Sequence, residues 1–235
     1  MTKEIMRTIL AITAFLALAA CSPQADKTSE TTDNAPIVPA STDLPAGAYK
    51  IDRAHASLIF KVNHLGFSHF TARFKRFDAD LQFDPKTPSN SSVTATVDPT
   101  SLETDYPDPQ TLDFNAQIYG EEFLDAAKYP EMTFRSTEVR LTGPNTAKIT
   151  GDFTMHGVTH PVTLDATFNG GWNGIEQDPH ARIGFSAQGS LKRSDYGISY
   201  GIPAPGTTLG VGDEVSIIIE AEFTGPPMQP APKAD

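Results

Sequence analysis

The chain has 235 residues, a formal net charge of −11 and one cysteine. Such acidity argues against a nucleic-acid site or an electrostatic grip on anionic lipid surfaces, since both need dense Lys and Arg. The single cysteine excludes a disulfide framework, and the length suits one folded domain once a leader is set aside.

The N-terminus carries Lys3 and Arg7, diluted by Glu4, and then a mostly apolar run from Ile9 to Ala20. A run of this length fits a signal-peptide core and falls short of the roughly 20 residues a spanning helix needs. It ends in Leu18-Ala19-Ala20-Cys21, which resembles the bacterial lipobox. Small residues give a peptidase access to the bond before Cys21, and the thiol then takes a diacylglyceryl group. Residues 1–20 are therefore expected to be a lipoprotein signal, with Cys21 the lipidated residue and the membrane a partner through its acyl chains. Cleavage removes Lys3, Arg7 and Glu4 and leaves a mature chain near −12. Ser22 stands where an aspartate often signals inner-membrane retention, which points to the outer membrane with the domain facing the periplasm.

Residues 22–46 are rich in Pro, Ser, Thr, Ala and Asp and hold no aromatic residue. They offer too little apolar surface to offset the entropy of ordering, so 21–46 is expected to be a flexible tether. The Pro-rich tail 225–235 has the same character, which bounds a single domain at 47–224.

Within that domain the apolar residues alternate with a period of two, the signature of strands buried on one face. Leu58, Phe60, Val62 and His64 share one side; Phe70, Ala72 and Phe74 share another row. Phe77, Ala79, Leu81 and Phe83 have the opposite parity, so a bulge or bend near Lys75-Arg76 is expected. The pattern continues through Val93–Val97, Met132–Phe134, Ile149–Met155, Val158–Phe168, Ile183–Leu191 and Val215–Phe223. Polar opposite faces imply an antiparallel sheet, and about eight such strands lose their exposed edges by closing on themselves. The expected fold is all-β: a closed antiparallel barrel of about eight strands. Residues 108–128 break the alternation and read as one or two short helices across a barrel end, stopped at Tyr129-Pro130.

Several motifs stand in order along the domain. They are Asp52, His55, Phe60, His64 and Gly66; Tyr129-Pro130 with Thr133-Phe134; and Gly151-Asp152-Phe153-Thr154-Met155-His156-Gly157-Val158-Thr159 with Pro161-Val162. Arg193-Ser194-Asp195-Tyr196-Gly197 and Val211-Gly212-Asp213-Glu214-Val215 follow. Together they resemble the YceI family of bacterial periplasmic proteins across 47–224. The resemblance implies a lipocalin-like barrel whose apolar interior takes up a long-chain polyisoprenoid, with no established cofactor or catalytic residue. Two departures are Ala72 before Arg73-Phe74, where the family often has Gly, and residues 108–114 in place of the usual Arg-Asp-x-x-Leu.

A small barrel is either filled by its own side chains or holds one small molecule. The inward rows mix large and small residues, so they permit a pocket or a solid core. With the resemblance, Phe60, Val62, Phe74, Phe83, Phe134, Phe153, Phe185 and Ile217 are the candidate lining of an apolar pocket. Arg73, Arg182 and Arg193 are candidate head-group contacts, each also open to a local structural pairing. The expected function is non-enzymatic binding, transport or storage of an isoprenoid lipid, of polyprenyl phosphate or quinone type. Partners are that lipid, the membrane and, for a homodimer, a second copy; nucleic acid, metal and cofactor are not expected. His156 and His160 have a spacing seen in zinc sites, but the stretch reads as strand–turn–strand rather than helix. Two rival readings are a filled barrel acting as an envelope interaction protein, and a hydrolase-type enzyme on amphiphiles using His55 or His64.

Overall fold

A computed structural model describes residues 37–40 and 42–228. The expected signal peptide, Cys21 and most of the tether lie outside the described residues, as do residues 229–235 of the tail. Among the described residues, ten antiparallel strands form one sheet. They are β1 (Gly47–His64), β2 (Ser68–Phe74), β3 (Phe77–Phe83), β4 (Ser92–Val97), β5 (Leu102–Glu103), β6 (Met132–Gly143), β7 (Thr146–Met155), β8 (Val158–Trp172), β9 (His180–Lys192) and β10 (Val211–Pro227).

The barrel is closed and effectively eight-stranded. β1 pairs along one side with both β2 and β3, and β10 returns to pair with its other side. β2 and β3 are thus one strand interrupted at Lys75-Arg76, where the parity of the apolar residues changes. On its far side β3 pairs with β4 and β2 with the two-residue β5, a second interrupted strand. From there the sheet runs in chain order through β6, β7, β8, β9 and β10. Pairing of β10 with β1 closes the barrel and removes the long free edges that invite aggregation; only the short β2–β5 branch ends without a further partner strand among the described residues.

Turn chemistry sets the hairpins. Between β7 and β8 the two-residue loop His156-Gly157 has φ 53 and 75, the left-handed pair of a tight hairpin whose twist matches its strands. A methyl group at Gly157 would run into the Tyr129 ring, so this turn also seats the end of the 104–131 connection.

The segment expected to be helical contains one short helix, α1 (Phe114–Tyr119), followed by turns rather than a second helix. Asp113 caps it, accepting from the Ala116 N–H at 2.9 Å, and Gly120 ends it in extended backbone.

The ordered unit is longer than composition suggests at both ends. Leu44 is buried in the core, Ala40 donates to the Pro144 carbonyl at 2.9 Å, and Tyr49 Oη donates to the Pro45 carbonyl at 2.8 Å. At the other end β10 continues through Pro227, and Met228 N–H donates to the Pro179 carbonyl at 2.7 Å.

Candidate functional site

The inward rows enclose apolar space mainly at one end of the barrel, the end bearing α1. A cavity of about 550 Å³ lies there, within the usual range for small-molecule sites. β1 contributes Phe60 and Val62, β2 Phe74, β7 Phe153, β9 Leu191 and β10 Ile217. Each faces inward because the period-two pleat sends alternate side chains to the same side.

The 104–131 connection forms the lid. Phe114 and Ile118 of α1, with Phe123 and Leu124 beyond it, complete the cavity wall. Phe114 packs edge-on against Phe70 with ring centroids 5.7 Å apart, and Phe123 lies 5.1 Å from Tyr200. Asn115 Oδ1 accepts from both the backbone N–H and the hydroxyl of Thr104, at 3.0 and 2.6 Å, tying the helix to the end of β5.

Polar groups gather at this end: His64, Gln117, Arg193 and Tyr200 all touch the cavity. Arg193 is buried and donates Nε to the Gly212 carbonyl, Nη1 to that of Tyr200 and Nη2 to that of Val211, at 2.7–2.8 Å. Burial lowers its pKa, and the nearby Asp213 charge opposes that shift. A guanidinium has five N–H donors, so three of them tie the loop that follows Tyr196 to the start of β10, clamping 198–212, and two remain. That loop contains no Asp, Glu, Lys or Arg. Its neighbour is the β1–β2 turn: Leu65 N–H donates to the Gly210 carbonyl at 2.9 Å. Phe67 on one and Leu209 on the other are 84% and 75% exposed, so the cavity end carries an uncharged, apolar tip.

The opposite end is largely filled. Tyr49, Phe83, Phe168, Phe185 and Phe223 interlock, with Phe83–Tyr49 centroids at 5.7 Å and Phe168–Phe185 at 5.5 Å. A pocket of only about 100 Å³ remains there, bordered by Pro39, Ala40 and Thr42 of the incoming chain.

The structure therefore divides the candidate lining. Phe60, Val62, Phe74, Phe153 and Ile217 meet in the larger cavity. Phe83 and Phe185 border the small pocket instead. Phe134 sits over Gly151, where a methyl group would stand 2.5 Å from its Cζ. Of the three arginines, Arg193 alone lines the cavity. Arg73 is exposed and pairs with Asp105 at 3.4 Å. Arg182 bonds Asp52 and Asp178, neither of which lines the cavity. Phe70, Tyr106, Phe114 and Tyr200 also line the cavity and were not singled out from sequence as lining; Phe70 shared the period-two row of Phe74, and the other three stood as isolated aromatics within polar stretches.

The histidines sort similarly. His156 Nδ1 and His160 Nε2 each donate to a backbone carbonyl, of Tyr196 and Asp195, both at 3.0 Å, so these nitrogens carry protons and cannot ligate. His55 donates Nδ1 to Asp52 at 3.1 Å and lies outside the cavity. Asp52, His55 and Glu222 bring three ligand-type atoms within 4.8 Å of one another, yet Arg182 already supplies a cation to Asp52. Hydrogen bonds from His55, then Arg182, then the Ala54 N–H hold the Asp52 carboxyl down at about 2. The Asp52 hydrogen bond and charge raise the His55 pKa in return.

Fold and cavity together define a lidded antiparallel barrel with an apolar interior open to polar groups at one end. The family model of the YceI-like domain matches residues 49–223, nearly the whole barrel. This chain belongs to the YceI-like domain family. A UPF0312 protein of Pseudomonas putida (strain GB-1) is 40% identical over 165 residues, covering 69% of this chain and 80% of the relative. Among solved structures, Burkholderia cenocepacia BcnA matches with TM-score 0.62 and 25% identity, over 73% of this chain and 98% of that one. A polyisoprenoid binding domain from Saccharophagus degradans matches with TM-score 0.50 over 77% of this chain and all of that one; at 13% identity it shows a shared fold.

Proposed function

We propose that the protein binds an isoprenoid lipid, of polyprenyl or prenyl-quinone type, and carries or stores it in the cell envelope without transforming it. The observation that carries this reading is the cavity of about 550 Å³ walled by Phe60, Phe74, Phe153 and Ile217. Burying an apolar chain there gains about 25 cal/mol for each Å² removed from water and needs no reactive group. The head group would sit at the polar end, where Arg193 keeps two N–H donors beyond its loop contacts and His64, Gln117 and Tyr200 stand close. The family membership and the polyisoprenoid binding of the Saccharophagus domain support the ligand class. The uncharged tip of Phe67 and Leu209 suits passage of cargo from a bilayer. Native mass spectrometry of protein gently extracted from its own host should show an added mass that fragments as a prenyl lipid. A homogeneous unliganded mass, unchanged after incubation with prenyl lipids, would sink the reading.

The lipobox-like Leu18-Ala19-Ala20-Cys21 supports an acyl anchor, with Ser22 favouring the outer membrane. Metabolic labelling with palmitate should mark the wild type and not Cys21→Ser; equal labelling of both would remove the anchor from the account.

A further inference from the structure

The inward rows of three strands run in the same order. In β4, Val93 borders the small pocket, Val97 the large cavity, and Ala95 between them neither. In β7 the order is Ile149, Gly151, Phe153; in β9 it is Phe185, Ala187, Leu191. At one level between the two spaces, the inward positions of all three strands border neither.

That level pairs large residues with small ones. Its bulky members are Phe134, Leu164 and Ile219, and none borders either space. Ala79 pairs with Ala95, and Ala95 with Phe134; Leu164 pairs with Gly189, and Ile219 with Ala187. The glycines are required by this packing. A methyl group at Gly151 would stand 2.5 Å from Phe134 Cζ, and one at Gly189 would stand 2.8 Å from Leu164 Cδ2. The missing side chains let the phenyl and isobutyl groups settle over the neighbouring strands at this level of the barrel.

We infer that Phe134, Leu164 and Ile219 form a floor that fixes how much of an apolar chain the cavity takes, so that affinity rises with lipid length only up to the floor. The inference rests on the lipid-carrier reading. A dry cavity of about 150 Å³ holds one six-carbon benzene, so a space of about 550 Å³ takes on the order of twenty carbons, about four isoprene units. Each buried methylene is worth about fourfold in affinity, so each isoprene unit that enters strengthens binding by at least about tenfold. Units beyond the floor remain outside and add little.

The test is an affinity series of all-trans prenyl alcohols, from two to eight isoprene units, on the wild type, Phe134→Ala and Leu164→Ala. Wild-type affinity should climb with each unit up to about the fourth and then level off. In Phe134→Ala the break point should move out by one unit or more, with short-chain affinities within about twofold of wild type. Thermal unfolding confirms that each variant is folded, and Leu164→Ala carries the same test should the phenylalanine variant fail to fold. Steady tightening through eight units in the wild type overturns the floor, as does an unmoved break point in a folded variant. Absence of binding at every length overturns the floor and the carrier reading together; a missing break point overturns the floor alone.

Discussion

Asp52 shows how one side chain's surroundings set a pH response. Its carboxyl accepts from His55, Arg182 and the Ala54 N–H, which holds its pKa at about 2, below the ordinary 3.8. A depressed carboxyl pKa adds stability that is fully present above the ordinary value and is lost as pH falls towards the folded one. His55 has the opposite sign. Its raised pKa adds stability that is complete below its ordinary 6.5 and is lost as pH rises through the folded value. The pair therefore contributes most between about pH 4 and 6.5. Denaturation midpoints measured from pH 2 to 8 should show Asp52→Asn with a flatter acid limb than the wild type and a smaller loss above 6.5. Parallel curves for the two proteins would contradict this pairing.

Single residues also mark where sequence reading stops. A period of two tells which face a side chain takes and nothing about its height along the barrel axis. Phe83 and Phe185 have the inward parity of Phe153, yet they sit a layer away, in the filled end. Leu44 gave no signal because one apolar residue in a polar stretch has no period to join.

At the scale of elements, the strands were largely legible and their connections were not. The bend at Lys75-Arg76 announced itself as a change of parity, whereas two-residue β5 is too short to carry a pattern. The lid holds one helix because Asp113 starts it and Gly120 ends it within six residues. Arg193 illustrates the rest. Its partners are carbonyls of Tyr200 in the loop before β10 and of Val211 and Gly212 at the start of β10, up to 19 residues along the chain, where the sequence has neither charge nor periodicity. Lysine cannot reproduce a fork that donates in three directions, and the abandoned carbonyls would be left unpaired. Arg193→Lys should cost about 2–3 kcal/mol in chemical denaturation and speed amide exchange selectively in 198–212. Unchanged stability and exchange would mean that the clamp does not hold the loop.

Over the whole molecule, the sequence left open whether the barrel is solid or hollow, since mixed large and small inward residues fit both. The structure is both in turn, with an aromatic plug at one end and a cavity at the other. The described chain enters at the plugged end, where Ala40 meets Pro144.

The central claim is that the cavity is the binding site, and it is met most directly by titrating a fluorescent prenyl quinone analogue into wild type and Ile217→Trp. Ile217 lines the cavity, and the larger indole would occupy space the ligand needs. The wild type should bind saturably at one site, and the variant at least about tenfold more weakly with its melting temperature retained, the equivalent of about 1.4 kcal/mol or more of lost binding. Equal affinity in a folded variant, or no saturable binding by the wild type, would contradict the account.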